Sequence, residues 1–171
     1  MTIKTGSLAS MGIASFITLA AMAGAPLTAA NEGISLVPYY DSVGVKTWCR
    51  GETEVDIKDK YTLSDCDLMY NIRYGYYSYN TAMLYNNTAK AVVTPEIHAA
   101  LVDMAYNIGT NAVKNSSMIK HINAGQPVKA CKSILLYKYA GGKDCSRKSN
   151  KCYGIWTRRL QMYKLCMKGV T

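Results

Sequence analysis

The chain has 171 residues, of which 49% are apolar and only four are prolines. These values exclude a disordered or linker-rich protein, and the length suffices for one domain with a buried core. The net charge of +9 is uneven, because residues 114–171 carry thirteen Lys/Arg against one acid. Such a basic half is typical of a solvated surface or of a protein that binds anionic lipid, nucleic acid or an acidic polymer. No nucleic-acid motif accompanies it, and we expect no nucleic-acid partner.

The first thirty residues carry a single charge, Lys4, and residues 5–30 are long enough to cross a bilayer as a helix. This segment is weakly hydrophobic, because it contains eight large apolar residues and seventeen Gly, Ala, Ser or Thr. Lys4 predicts a cytoplasmic N-terminus with the rest of the chain outside. Two fates fit this composition: cleavage by signal peptidase after Ala30, or an uncleaved anchor that leaves the bilayer slowly.

The elements that follow predict an α+β fold. The turn-rich stretch "YYDSVGVKTWCRGET" predicts one or two small hairpins. Thr62 or Ser64 can cap a helix that begins in "TLSDCDLMY", and "TPEIHAALVDMAYNIG" predicts a helix between Thr94 as cap and Gly109 as stop. Further helices are predicted in "NSSMIKHINAG", "QPVKACKSILLYKYAGG" and "WTRRLQMYKLCMKG". A small sheet beside a helical lobe predicts a cleft between them.

Six cysteines all follow the apolar segment: Cys49, Cys66, Cys131, Cys145, Cys152 and Cys166. An even number of cysteines in an exported chain predicts disulfides formed in an oxidising compartment. A local disulfide between Cys145 and Cys152 would close the polar loop "SRKSNK". The other pairings are not fixed by the sequence, although two would each cross-link one lobe: Cys49 with Cys66, and Cys131 with Cys166. Neither histidine pairs with cysteines at ligand spacing, and we expect no metal.

Two carboxylates directly follow the apolar segment: Glu32 and, nine residues on, Asp41, with Thr47 six residues further. A carboxyl at a helix end and one on a polar loop have different environments, so that one can donate a proton while the other stays ionised. Glycoside hydrolysis requires such a pair on either side of a sugar linkage. Taken alone, however, such a pair is most often surface charge, and a lone threonine in a strand is most often structural.

The stretch "EGISLVPYYDSVGVKTWCRG" resembles the active-site signature of the phage lysozymes, glycoside hydrolase family 24, and Glu32, Asp41 and Thr47 occupy its three catalytic positions. Later stretches resemble the family in the same order: "AYNIG", "NSSMIKHINAG", "YAGG" and "GIWTRRLQMYKLC". The resemblance covers nearly everything after Asn31. It implies a lysozyme-like catalytic domain over residues 31–171, in which a small β-hairpin lobe and a larger helical lobe enclose a cleft.

This resemblance implies hydrolysis of the β-1,4 bond between N-acetylmuramic acid and N-acetylglucosamine in bacterial peptidoglycan. Glu32 would be the general acid, and Asp41 with Thr47 would hold a water on the opposite sugar face, which gives inversion. By position, three residues are expected to contact substrate: Tyr106, Asn107 and Ser116. Tyr106 can equally well pack in the core. We expect a monomer that needs no cofactor.

Residues 1–30 resemble the segment of the signal-anchor-release endolysins within this family. There, a weak transmembrane segment tethers an inactive enzyme to the periplasmic face of the host inner membrane until the membrane potential collapses. One variant of that group activates by disulfide exchange through a cysteine in the anchor, and residues 1–30 contain none. The resemblance therefore implies that residues 5–30 first lie in the membrane, then refold against the enzyme in the periplasm and complete the cleft around Glu32.

The chain departs from the family at two places. Glu52 stands where relatives often have a histidine, and "KDCSRKSNKCYG" lengthens the loop before the last helix. We expect Arg158 and Arg159 to hold the helical lobe together rather than to touch substrate. Two rival functions remain open: a lytic transglycosylase, which needs no water-activating partner for its glutamate, and a non-catalytic, membrane-anchored protein that binds the cell wall or forms pores.

Overall fold

The computed structural model describes residues 6–41, 44–53 and 58–170, so that Lys4, on which the predicted orientation depends, lies outside the described residues. The helices are α1 (Ile13–Glu32), α2 (Leu63–Ala82), α3 (Asn87–Val92), α4 (Pro95–Ile108), α5 (Thr110–Lys114), α6 (Ser117–Asn123), α7 (Pro127–Ser133) and α8 (Tyr153–Lys168). The strands form two antiparallel hairpins: β1 (Ser35–Tyr40) with β2 (Lys46–Cys49), and β3 (Tyr139–Ala140) with β4 (Lys143–Asp144). The predicted α+β class is confirmed.

Local sequence signals explain where helices α2 and α4 begin. At α2, the backbone N–H of Asp65 donates to the Thr62 hydroxyl at 3.1 Å, and the Asp65 carboxylate accepts the Thr62 N–H at 2.8 Å, which is a capping box. At α4, the Thr94 hydroxyl caps the helix and Pro95 occupies the first turn. The helix ends at Gly109, whose φ of +85° suits glycine best.

The second hairpin is not predicted by the sequence. Tyr139 pairs with Asp144 and Ala140 with Lys143, and the two-residue turn between them is Gly141–Gly142. Both glycines have positive φ, +53° and +75°, a conformation that glycine adopts at no steric cost. The helix predicted in "QPVKACKSILLYKYAGG" is therefore shorter than expected and ends at Ser133.

Helix α1 is packed into the hydrophobic core. Its buried residues recur every four positions and form one stripe along the helix: Phe16, Ala20, Gly24 and Thr28. A Cβ built on Gly24 would lie 2.7 Å from the Cβ of Ala99 on α4 and 2.6 Å from the Tyr74 hydroxyl on α2. Only glycine allows this approach. The Tyr70 hydroxyl also donates to the Ala25 carbonyl at 2.6 Å, so that α2 and α4 together hold α1.

The same helix is long and apolar enough to cross a membrane. Its mean hydropathy is 1.6 over an 18-residue window, of which only 22% is buried in the fold. Its 20 residues match the thickness of a bilayer core. The helix continues through Pro26 and past Ala30 and Asn31 to Glu32, so that the apolar segment and the first predicted catalytic residue share one helix.

The six cysteines form three disulfides: Cys49–Cys66, Cys131–Cys166 and Cys145–Cys152. The first joins β2 to α2, the second joins α7 to α8, and the third closes the loop between β4 and α8. Within the described ranges, no group of three or more His, Cys, Asp or Glu side chains is arranged to hold a metal ion.

His98 on α4 lies at the centre of the core. It is fully buried between the Ser78 and Tyr85 hydroxyls, each 2.9 Å from one ring nitrogen, and its ring centroid lies 5.3 Å from that of Phe16 on α1. Burial lowers the pKa of His98 to about 3. The imidazole is therefore neutral in the folded protein at any pH near 7.

We expect the free energy of unfolding to fall as the pH drops from 6.5 towards about 4 because of His98. Above pH 6.5 the imidazole is neutral in both the folded and the unfolded chain, and its full contribution is present. Below that value only the unfolded chain takes up the proton, so that stability falls by up to about 1.4 kcal/mol per pH unit. Urea unfolding of the parent and of His98→Met at several pH values measures this slope. An equal slope in both proteins would exclude His98 as its cause.

Candidate active site

Glu32 is the last residue of α1, and Gly33, with φ of +66°, turns the chain out of the helix towards β1. One oxygen of its carboxylate, Oε1, accepts a hydrogen bond from Nη1 of Arg158 at 2.6 Å. The side chain is 21% exposed. Glu32 can therefore meet a ligand from solvent while a cation on α8 fixes its orientation.

Arg158 is held in turn by Asp103 on α4. Its Nε and Nη2 donate to the two Asp103 carboxylate oxygens at 3.0 and 2.9 Å, a bidentate pair in which Asp103 is fully buried. Burial alone lowers the pKa of Arg158, but the hydrogen bonds and charges of Asp103 and Glu32 outweigh it, and the pKa is raised. Glu32 thus contacts an arginine that is already paired with a buried carboxylate.

Replacing Asp103 with alanine is expected to lower the free energy of unfolding by about 3–5 kcal/mol, because Arg158 would stay charged and buried without its bidentate partner. Urea unfolding at neutral pH measures the loss. Asp67→Ala is the control, since it removes a 3.3 Å ion pair with Arg50 in which the acid is 58% exposed. That change should cost less than about 1 kcal/mol. Equal losses in the two variants would contradict the role of Asp103.

Asp41 and Thr47 are both attached to the backbone of Val45. The Val45 N–H donates to Oδ1 of Asp41 at 2.8 Å, and the Asp41 N–H donates to the Val45 carbonyl at 2.9 Å. The Thr47 hydroxyl donates to the same carbonyl at 3.0 Å, and the threonine is buried in β2. The first hairpin therefore brings these two predicted residues together at one end of the sheet.

Strand β1, which leads from Glu32 to Asp41, is irregular. Ser35 pairs with Cys49 and Tyr39 with Thr47, so that four steps along β1 oppose two along β2. Two extra residues in one strand bend it, and Pro38, which has no N–H to donate, lies in this part.

Two of the predicted substrate residues lie on the last turn of α4. Tyr106 is half-buried, with its ring centroid 5.1 Å from that of Tyr77 and 5.4 Å from the guanidinium carbon of Arg73. Asn107 is exposed, and its Oδ1 accepts a hydrogen bond from Nη2 of Arg159 at 2.5 Å. Tyr106 thus packs against Tyr77 and Arg73. Asn107 connects α4 to α8 through Arg159.

Ser116 caps the N-terminus of helix α6. It is 2% exposed, and its hydroxyl accepts the backbone N–H of Ile119 at 3.2 Å as the N-cap of α6. Glu52 accepts a hydrogen bond from Nη1 of Arg73 at 3.1 Å. This ion pair and the Cys49–Cys66 disulfide both stabilise the hairpin lobe.

The sequence did not predict the contact between Arg158 and Glu32 or the role of Asp103. One signal was present, since Asp103 is an acid on the apolar face of a strongly periodic helix, where a carboxylate needs a buried partner. Arg159 does hold the lobe together, because its Nε donates to the Tyr137 carbonyl at 2.8 Å. Burial and the neighbouring charge of Arg158 lower its pKa to about 10.

An α+β fold with a glutamate at a helix end, followed by a hairpin that carries an aspartate, has the elements of a lysozyme-like glycoside hydrolase. Residues 29–161 match the phage lysozyme family. The chain is 31% identical over 140 residues to the SAR-endolysin of Enterobacteria phage P21, covering 81% of this chain and 78% of that protein. It is 32% identical over 145 residues to the SAR-endolysin of Escherichia phage 933W, covering 82% and 80%. The chain belongs to the phage lysozyme family.

Solved structures agree with this fold. The active form of the P1 phage endolysin Lyz superimposes with a TM-score of 0.71 at 20% identity, covering 94% of this chain and 96% of that one. The muramidase domain of SpmX from Asticaccaulis excentricus has a TM-score of 0.70 at 19% identity, covering 84% and 94%. The predicted lysozyme-like fold is confirmed. Family membership and these relatives make the protein a muramidase of the endolysin type.

Proposed function

We propose that the protein hydrolyses the β-1,4 bond between N-acetylmuramic acid and N-acetylglucosamine in peptidoglycan, with Glu32 as general acid and Asp41 and Thr47 positioning the attacking water. One observation carries the proposal: Glu32 is held at a helix end by Arg158, and Asp41 and Thr47 are fixed together through Val45. Glu32 protonates the oxygen of the leaving sugar. The water attacks from the opposite face and inverts the anomeric carbon.

Replacing Asp41 with asparagine is expected to reduce turnover about a hundredfold or more, because an amide cannot take the proton of the attacking water. The Val45 N–H can still donate to the asparagine oxygen, so that the hairpin should keep its fold. Clearing of purified peptidoglycan measures the rate, and the anomeric form of the first product reports inversion. Normal turnover in the variant would remove Asp41 from the mechanism, and anhydro-muramic ends would identify a lytic transglycosylase.

The anchor role of residues 5–30 is part of the same proposal. Helix α1 has the length and hydropathy of a membrane span, and most of the window that could enter lipid remains unburied in the fold. It is also weakly hydrophobic, because its core-facing stripe includes small residues. We therefore assign α1 two environments: the host inner membrane before lysis, with the domain in the periplasm, and the groove formed by α2 and α4 afterwards.

The switch follows from the continuity of α1. Glu32 is its last residue, and Phe16, on its first turn, fills a fully buried core position beside His98. While α1 lies in lipid, Phe16 cannot fill the core beside His98, and Arg158 no longer holds the Glu32 carboxylate. Cleavage after Ala30 would remove the same contacts permanently, so that the chain needs an intact α1 for activity.

Fractionation before and after collapse of the membrane potential tests the switch. Wall-hydrolysing activity is measured in the membrane and soluble periplasmic fractions, and N-terminal sequencing of the soluble form shows whether α1 is retained. We expect inactive protein in the membrane and active, uncleaved protein in the soluble fraction. Full activity in the membrane fraction, or an active soluble form that begins after Ala30, would reject the switch without rejecting the muramidase mechanism.

A further inference from the structure

The insertion before the last helix has no task in the hydrolysis described above. We name residues 138–152, which comprise β3, β4 and the disulfide-closed turn, the basic loop. It carries five cations and a single acid: Lys138, Lys143, Arg147, Lys148, Lys151 and Asp144. These fifteen residues therefore hold a net charge of +4, which is five minus one, on a chain whose total is +9.

Asp144 makes several hydrogen bonds to other residues of the basic loop. One of its carboxylate oxygens accepts from Nζ of Lys138 at 2.8 Å, and the other accepts from the backbone N–H and hydroxyl of Ser146 at 3.0 and 2.6 Å. Nδ2 of Asn150 donates to the Asp144 carbonyl at 2.8 Å. These bonds and the Cys145–Cys152 disulfide fix the backbone, and the single acid is used inside the loop.

Four cations of the basic loop remain directed to solvent: Lys143, Arg147, Lys148 and Lys151. Over residues 6–41, 44–53 and 58–170, no carboxylate lies within ion-pair distance of these four. Lys148 also lies 5.5 Å from the ring centroid of Tyr153, which restricts its side chain. A rigid backbone that presents several cations loses little conformational freedom when it binds an anionic partner.

Both ends of the basic loop are joined to α8, the helix whose Arg158 contacts Glu32. Tyr137, which precedes it, accepts a hydrogen bond from Arg159 at 2.8 Å, next to the arginine that contacts Glu32. Tyr153, which follows it, begins α8 five residues before Arg158, or about 8 Å along the helix axis. The loop is therefore anchored to the part of α8 that carries Arg158.

We propose that the basic loop binds the carboxylates of the peptide stems of peptidoglycan while Glu32 acts on the glycan strand. The proposal rests on the proposed function, because the stem hangs from the muramic acid that the site would hold. An extended stem of about four residues spans up to about 14 Å, more than the distance from Arg158 to the loop along α8. The side-chain and terminal carboxylates of the stem would supply negatively charged partners for the four exposed cations.

Exposed charges of this kind mainly raise the rate of encounter and the affinity for the polymer, and they act less on the chemical step. Neutralising the loop should therefore raise KM for intact wall about tenfold at low salt and leave kcat nearly unchanged. The difference should shrink at high salt, because screening weakens interactions between exposed charges.

The test compares two variants with the same change of charge. One replaces the loop cations as Lys143→Gln, Arg147→Gln, Lys148→Gln and Lys151→Gln. The control replaces four exposed lysines elsewhere on the helical lobe: Lys90, Lys129, Lys132 and Lys164, each with glutamine. Each is assayed for KM and kcat on purified sacculi and on sacculi whose carboxylates have been converted to neutral amides with carbodiimide and ammonia.

We expect the loop variant to lose affinity for native sacculi about tenfold, the control to lose little, and the two to bind amidated sacculi equally. Equal losses in both variants, or a loss by the loop variant that persists on amidated sacculi, would overturn the proposal. Sedimentation of Glu32→Gln versions with the same sacculi measures binding without hydrolysis. If the parent bound sacculi through the loop and their carboxylates but did not hydrolyse them, the proposed function would fail and the binding proposal would stand. If the parent hydrolysed sacculi but the loop variant bound them equally well, only the binding proposal would fail.

Discussion

Replacing Glu32 with glutamine is expected to lower the rate of wall hydrolysis by about a hundred- to ten-thousandfold, because the amide cannot protonate the leaving sugar oxygen. Its carbonyl can still accept the hydrogen bond that Arg158 donates to Oε1, so that the orientation of the side chain should survive. The rate is measured by the clearing of purified sacculi at saturating substrate. A fall in kcat with little change in KM is the pattern expected for a group that acts in the transition state.

The matched control is Glu96→Gln, which removes the same charge from the first turn of α4 and should leave hydrolysis unchanged. Thermal unfolding of both variants establishes that the fold is intact. If the Glu32 variant clears sacculi at the parent rate, the general-acid assignment is wrong. If it lyses cells without hydrolysing sacculi, the protein acts as a non-catalytic lysis protein.

Replacing Gly24 with leucine is expected to reduce activity about a hundredfold after release from the membrane. Even a single added carbon would clash with Ala99 and the Tyr74 hydroxyl, at 2.7 and 2.6 Å, so that α1 cannot take its place against α4. Overpacking of this kind costs about 1–3 kcal/mol or more. Because Glu32 is the last residue of α1, a displacement of about 1 Å reaches the general acid, where it can cost about a hundredfold in rate.

Thr18→Leu separates this packing effect from the added hydrophobicity. Thr18 lies on the exposed face of α1, so that leucine there makes the segment similarly more apolar without entering the core. Both variants should stay longer in the membrane, but purified Thr18→Leu should hydrolyse sacculi at the parent rate and unfold at a similar temperature. A Gly24→Leu protein with the activity and stability of Thr18→Leu would show that close packing of α1 is not required.

Local signals predicted much of the fold. Thr62 and Thr94 cap helices, and Gly109 ends one, because each feature depends on residues within a single turn of backbone. The hairpin that carries Asp41 and Thr47 was likewise predicted from its aromatic and glycine pattern. The β3–β4 hairpin was not, since a glycine pair after an apolar helical pattern fits a helix end as well as a hairpin turn, and both need positive φ.

The residues that surround Glu32 could not be predicted from local sequence patterns. Arg158 reaches Glu32 across 126 residues of sequence and Asp103 across 55, and no periodicity or spacing in the chain relates positions so far apart. The resemblance to phage lysozymes supplied the positions of Glu32, Asp41 and Thr47 but not the charge balance around them. The predicted roles of Tyr106, Asn107 and Ser116 stay predictions, and for Ser116 the buried cap of α6 makes direct contact with sugar harder.

The glycine at the centre of α1 limits how this segment can evolve. A larger residue there would strengthen retention in lipid and at the same time block the groove between α2 and α4, so that one substitution would impair both exit and assembly. On the outward face, by contrast, a larger side chain meets no such clash, and under the proposed anchor role it would only lengthen the time that α1 stays in lipid. We therefore expect substitutions to be tolerated on the exposed face of this helix and to be excluded from the buried stripe that contains Gly24.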